Sequence, residues 1–232
     1  MVKVQFIIVG WHFDSFPDLV EELLVLNNEN KELDVFWSCH REPSQMIKDN
    51  FSYKVFPNLG LEDGAYQQAL DFLDIPDETI LFLLHDDLKV KDWSFIEESI
   101  ARLSQGYAFV GNGMNYPAYI NLTEKVMGKD VKEFIKPEAR HLFDKSGPVL
   151  TLRESFMCTT RKYLRDIYDF EVIWEEPQPD KNGNYHIGGI GNLQQSLLGY
   201  KITKVHGSNK VSYLSNTYQD SEYLYEYARG KE

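Results

Sequence analysis

Three consecutive polar residues, His85-Asp86-Asp87, follow the most apolar run of the chain, Ile80-Leu81-Phe82-Leu83-Leu84. Carboxylates at the end of a buried strand face the crevice where a ligand would sit, and desolvation makes them costly there unless something neutralises them. A bound cation removes that cost. Hard oxygen donors suit Mg2+ or Mn2+, and a diphosphate can complete the coordination. An isolated Asp-Asp pair is ordinarily a solvated surface turn; the apolar strand in front of this one points to chemistry. A second polar strand end, Gly10-Trp11-His12-Phe13-Asp14, follows the apolar run of residues 4–9.

Other patterns carry less. Gly188-Gly189-Ile190-Gly191 lacks the βαβ context and downstream acid of a dinucleotide loop, and reads as a turn before a helix. That helix start could still offer backbone N–H groups to an anion. His40-Arg41-Glu42 and His141 have no ligand spacing to each other. Cys158, beside Met157, reads as a small buried residue rather than a nucleophile. Walker, Gly-x-Ser-x-Gly and His-Glu-x-x-His sequences are all missing.

The elements that must position these residues can be read from hydrophobic period. Short apolar runs at 4–9, 33–38, 53–56, 79–84 and 107–110 predict strands. Between them, Leu19, Val20, Leu23, Leu24 and Leu26 keep helical spacing after Pro17, as do Ala65, Ala69, Leu70, Phe72 and Leu73; residues 93–103 are also amphipathic. The first half therefore reads β-α-β-β-α-β-α-β, which predicts an α/β fold with a mostly parallel sheet covered on both faces. The second half is less regular: a long loop over 113–147 with one helix near 129–135, a strand at 149–152, a helix at 160–168 and a Pro/Asn/Gly-rich loop at 177–184. A helix at 193–198 is expected to stop at Gly199, ahead of a last strand at 201–205 and His206. Nothing marks a linker, so the expected organisation is one domain over 1–232, with a ligand-binding half at 1–112 and an irregular half at 113–232.

Bulk composition narrows the partners. Of 232 residues 43% are hydrophobic, enough for a real core, and the 14% aromatic content suits packing or ring stacking. A net charge of −12 argues against a nucleic-acid grip, which needs a basic stripe. Two cysteines, Cys39 and Cys158, build no disulfide framework, so a reducing compartment is expected. The N-terminus enters an apolar strand directly, with no signal-peptide pattern, and no run approaches the roughly 18 apolar residues of a membrane span. The expectation is a cytoplasmic protein with no membrane span. The tyrosines at 213, 218, 223, 225 and 227 suggest a packing arm or a homo-oligomer interface.

The stretch Leu81-Phe82-Leu83-Leu84-His85-Asp86-Asp87-Leu88-Lys89-Val90 resembles the acidic strand end of GT-A-fold glycosyltransferases, especially the family-2-like group. Asp92-Trp93-Ser94-Phe95-Ile96 matches its continuation. Leu61-Glu62-Asp63-Gly64-Ala65-Tyr66 resembles the family's Gly-Ala helix, residues 153–164 its later strand-into-helix segment, and Leu197-Leu198-Gly199-Tyr200-Lys201-Ile202 its helix end and last strand. The likeness runs in order over about residues 4–206, and the order is more specific than any single motif.

That resemblance implies a single Rossmann-like GT-A domain and a metal-dependent transfer of sugar from a nucleoside-diphosphate sugar to a glycan, lipid or protein acceptor. It implies that Asp87 and His206 ligate Mn2+ or Mg2+, and that Asp86 holds the ribose or the metal. Gly10, Trp11, His12, Ser38, Glu42, Gly64 and His85 would contact the nucleotide. Three positions depart from the family pattern: His85 stands at the first acidic position, Ser38 where an Asp is common, and Gly191-Asn192-Leu193 where inverting enzymes place a general base. Glu175 or Glu176 would then supply the base. Two other functions compete. A degenerate GT-A domain that only binds fits the departures. A nucleotidyltransferase would need a Gly-rich basic loop after the first strand, which Gly10–Asp14 is not.

Overall fold

A computed structural model of the chain describes residues 3–13, 17–29, 33–58, 61–113, 118–126, 129–135, 137–142, 146–150, 152, 155–170, 188–216 and 221–226. In the first half, β1 (Val4–Gly10), α1 (Pro17–Glu29), β2 (Leu33–Cys39), α2 (Gln45–Asn50), β3 (Ser52–Val55) and α3 (Leu61–Phe72) lead to β4 (Ile80–His85). A tight turn at Asp86-Asp87 then gives β5 (Leu88–Val90), followed by α4 (Phe95–Ser104) and β6 (Phe109–Gly113). The second half contributes the short strands β7 (Ala118–Ile120), β8 (Lys125–Val126), β9 (Lys129–Asp130) and β10 (Gly147–Val149). It continues with β11 (Phe156–Thr160), α5 (Arg161–Asp166), α6 (Gly188–His206), β12 (Val211–Ser215) and β13 (Leu224–Glu226).

Seven strands make one sheet in the order β12-β6-β11-β4-β1-β2-β3. Only β11 runs antiparallel, between β4 and β6. Because β6, β11 and β12 share this sheet with β1–β4, both halves of the chain build one domain around it. The two central strands are buried on both faces: Phe6, Ile7 and Ile8 of β1 and Leu81 to Leu84 of β4 have no exposure. This is why they read as unbroken apolar runs rather than alternating ones. Each such side chain contributes roughly 1.5–3 kcal/mol by leaving water. One face packs Leu19, Val20 and Leu23 of α1, Ile47 of α2 and Phe95 of α4. The other packs Ala65, Tyr66, Ala69 and Leu70 of α3, Leu164 of α5, and Leu198 and Ile202 of α6.

The chain leaves β1 towards β2 and β3, then returns to place β4 on the other side of β1. The strand order reverses there, so the crevice outside the carboxyl ends of β1 and β4 is the expected ligand position in this architecture. In register, Val9 lies opposite His85, which brings the two polar strand ends side by side.

The second half departs from expectation. The predicted stop at Gly199 and strand at 201–205 are instead one helix, α6, running through to His206. Leu197, Leu198, Lys201 and Ile202 are all buried, so an i, i+4 stripe outweighs the roughly 1 kcal/mol penalty of an interior glycine. The helix ends one step later, at Gly207, whose φ of 91° is a conformation that favours glycine. The helix expected near 129–135 is a two-residue strand and a single 3₁₀ turn, Val131–Phe134. The strand expected at 149–152 sits earlier, as β10, paired with β7. Helix α2, which sequence period does not show, is a six-residue turn capped by Ser44.

The tyrosines of the C-terminal segment that are described pack within the chain. Tyr213 is on β12, while β13 pairs antiparallel with β5 and so braces the strand that leaves Asp87. Tyr223 O accepts from Lys91 N–H, and the buried Ser221 donates its hydroxyl to Asn112 Oδ1 at 2.7 Å. Tyr218 and Tyr227 lie outside the described residues. Among the described residues no helix is long and apolar enough to cross a membrane.

Candidate active site at the β1 and β4 strand ends

His85, Asp86 and Asp87 are 2%, 3% and 1% exposed. The acidic pair is therefore held inside the molecule, not on its rim. His85 Nδ1 stands 3.8 Å from Asp87 Oδ1, and the imidazole stacks on Tyr66 of α3 with centroids 6.2 Å apart. Tyr66 stacks in turn on Phe170, 5.2 Å away, whose backbone N–H donates to Gln67 Oε1. One face of the strand end is thus walled by aromatic rings.

Asp86 turns the other way, towards β1. Its N–H donates to Val9 O at 3.0 Å, and its Oδ2 accepts the backbone N–H of His12. Gly10 is required by this approach: a Cβ there would lie 2.9 Å from Asp86 Oδ2 and 3.0 Å from Phe13. From the other side, Gly10 O accepts from His40 N–H and Trp11 O from Arg41 Nε, while the Arg41 guanidinium lies over the Phe13 ring. Phe13 is buried, and Trp11, 45% exposed, and His12 stand at the open side of the loop.

The other expected nucleotide residues are placed unequally. Ser38 is fully buried at the end of β2 and donates its hydroxyl to Ala65 O at 2.9 Å, tying β2 to α3 from behind the site. Gly64 is buried in the first turn of α3, next to the buried Asp63. Glu42 is exposed and paired with Lys48 at 2.9 Å.

His206 does not join Asp87. It closes α6, with its ring against Tyr163 and Phe109 and its Nε2 3.3 Å from Tyr163 O. Phe109 lies level with Leu81 through β11, four residues before His85, so the imidazole sits roughly 13 Å back along the sheet. The cause is α6: as a helix it carries residue 206 away from the carboxyl edge that a strand would have reached. Glu175, Glu176 and Asp14 lie outside the described residues. Arg41, Tyr66 and Phe170 were not singled out in the sequence; Arg41 and Tyr66 flank residues that were, and Phe170 carries no local signal.

Among the described residues no group of three or more His, Cys, Asp or Glu side chains could hold a metal ion. The donors at the strand end are a buried carboxylate, Asp87, with an imidazole beside it. That set fits a hard cation shared with a diphosphate, since Mg2+ is commonly held by one or two carboxylates plus substrate phosphates. It does not fit a cage complete without the ligand. Manganese alone is therefore expected to bind weakly, and a nucleoside diphosphate to tighten it tenfold or more, as read by the EPR signal of free Mn2+.

Burial also shifts three titratable groups, Cys39 and His40 at the end of β2 and Cys158 within β11. Desolvation, reinforced by the Asp86 charge, pushes the Cys39 thiol up to about 12, and desolvation raises Cys158 well above its ordinary value. Neither thiol is expected to react with iodoacetamide in the folded protein near pH 7.5, whereas both react in urea; mass spectrometry counts the adducts. His40 is lowered from its ordinary 6.5 by desolvation, partly offset by Glu62. Between that lowered value and 6.5 the unfolded chain binds more protons, so stability falls as pH drops through this window and is fully present above it. The urea midpoint should fall on acidification from about pH 7.5 to 5.5, and His40→Gln should flatten the slope.

These elements define a GT-A glycosyltransferase fold. The structure of Staphylococcus aureus TarS 1-349 in complex with UDP-GlcNAc is similar over 100% of this chain, with TM-score 0.53 and 14% identity. Glucosyl-3-phosphoglycerate synthase from Mycobacterium tuberculosis, in complex with Mn2+, UDP-glucose and phosphoglyceric acid, is similar over 99%, with TM-score 0.53 and 12% identity. The chain spans 60% of the TarS fragment and 73% of the synthase. At such identities the likeness establishes the fold alone. No family model matches the sequence, and no curated protein is significantly similar to it.

Proposed function

We propose that this chain transfers a sugar from a nucleoside-diphosphate sugar, with Mn2+ or Mg2+ held at Asp87. The observation that carries the proposal is the burial of Asp87 and His85 at the reversal point of the sheet, within a fold shared with two structures that contain UDP-sugars. Asp87, with His85 beside it, would hold the cation, which would supply charge neutralisation for a departing diphosphate. The chain's own residues prepare the position. Asp87 supplies the anionic oxygen, His85 is kept in place by stacking on Tyr66, and the Gly10–Phe13 loop presents Trp11 and His12 to the base and ribose. The Ser38 hydroxyl holds α3 against β2 through Ala65 O, Gly64 in the first turn of α3 is a proposed nucleotide contact, and Glu42 stands at the outer margin. Glu176 is the proposed general base, general-base help being worth about 100- to 10,000-fold. The acceptor would be a glycan, lipid or protein; of the segments expected to bound its path, 113–147 and 174–192, residues 174–187 lie outside the described residues.

A second reading, binding without transfer, is favoured by Gly191-Asn192-Leu193 at the start of α6, where an inverting enzyme carries an acid. Calorimetry with a panel of nucleoside diphosphates, with and without Mn2+, tests both. Metal-dependent binding of one diphosphate supports the site, and its absence across the panel removes the transferase reading. Slow hydrolysis of the matching sugar nucleotide distinguishes an enzyme from a binding domain.

A further inference from the structure

We propose that Asp86 is a positioning residue that clamps the Gly10–Phe13 loop, leaving the carboxylate contribution to the cation to Asp87. The inference rests on the nucleotide-sugar reading for its ligand but on local geometry for its mechanism. Asp86 is tied to β1 by its N–H to Val9 O and to the loop after β1 by its Oδ2, which accepts from His12 N–H. The loop is shaped to receive that carboxylate, because residue 10 has room for Asp86 Oδ2 only as glycine. A charge-assisted bond to a backbone amide is about twice as strong as a neutral one, and Asp86 is only 3% exposed, so water competes weakly for His12 N–H. Asp87, one residue on, sits beside His85 instead. The adjacent aspartates thus divide the work: one fixes the loop that presents Trp11 and His12, the other faces the cation. Arg41 completes the clamp by holding Trp11 O.

The roles separate experimentally because an asparagine at position 86 still accepts the His12 N–H through its carbonyl oxygen, whereas a metal ligand would lose its charge. Asp86→Ala should weaken nucleoside-diphosphate binding tenfold or more, leaving the Mn2+ midpoint at saturating nucleotide within about twofold, and Asp86→Asn should restore most of the loss. Gly10→Ala should reproduce the Asp86→Ala defect and add less to it in the double variant, because removing the carboxylate removes part of the clash. Hydrogen exchange at the His12 amide reads the clamp without any ligand: protected in the parent chain and in Asp86→Asn, fast in Asp86→Ala. The proposal is overturned if Asp86→Asn shifts the Mn2+ midpoint as Asp87→Asn does, or if the His12 amide exchanges equally fast in all three proteins. Failure of every diphosphate to bind, with His12 protection still dependent on residue 86, supports the clamp and removes only the donor assignment.

Discussion

Asp87→Ala is expected to weaken Mn2+-dependent nucleoside-diphosphate binding by roughly 100-fold or more, close to 3 kcal/mol. The scale follows from what is removed. Losing a mere outer partner of a metal ligand typically costs 10- to 100-fold in metal affinity, and Asp87 is the carboxylate proposed to touch the ion. At 1% exposure there is no bulk water to take over its part. Asp87→Asn keeps the shape and one acceptor oxygen but not the charge, so it should lose binding to a similar extent while thermal unfolding moves by only a few degrees. Calorimetry on both variants, paired with melting curves, separates a metal ligand from a structural carboxylate. Binding within threefold of the parent in either variant would remove the cation from this strand end. A variant that melts far lower would instead mark Asp87 as part of the fold.

The largest stability effect is expected from Arg161. This side chain is 5% exposed at the start of α5 and grips both oxygens of Asp169, with Nη2 to Oδ2 at 2.9 Å. Lys201 of α6, also buried, donates to Asp169 O at 2.6 Å. Two consecutive residues without the freedom of glycine, Tyr168 and Asp169, take positive φ values of 61° and 50° here. Such conformations cost of order 1–2 kcal/mol each and persist only where surroundings over-determine them. The Arg161 fork, the Lys201 ammonium and the Asp169 N–H bond to Leu164 O do so. The same turn delivers Phe170 onto Tyr66 of α3, whose ring also stacks on His85. Arg161→Ala leaves a carboxylate whose side chain is only 13% exposed without its bidentate partner, and should cost up to about 3–5 kcal/mol in urea unfolding. Arg161→Lys keeps charge but not the fork and should fall between. A loss under about 1 kcal/mol would mean that the pair is effectively solvated.

The sheet was legible in the first half because its strands are short apolar runs and its helices keep a clear apolar stripe. β1, β2 and β4 fall within a residue or two of their predicted bounds. The strand ends that matter, Val9-Gly10 and His85-Asp86-Asp87, were legible for the same reason: a run buried on both faces stops abruptly at polar residues. Helix α6 misled because Gly199 imitates a stop and Lys201–Val205 imitates a strand. Neither the depth at which Leu198 and Ile202 pack nor the close at Gly207 shows in local period.

What the chain's own pattern determined is an α/β sheet with a desolvated acidic end, since alternation, run length and turn residues act over neighbours. What only tertiary structure decided is which groups meet there. The sheet order sets Gly10 beside Asp86, a contact across 74 positions between Asp86 and His12, and a continuous helix removes His206 from the acidic edge. Such pairings depend on strand order and on where a helix ends. Those are settled by summed burial over distant segments, so no short window of residues encodes them.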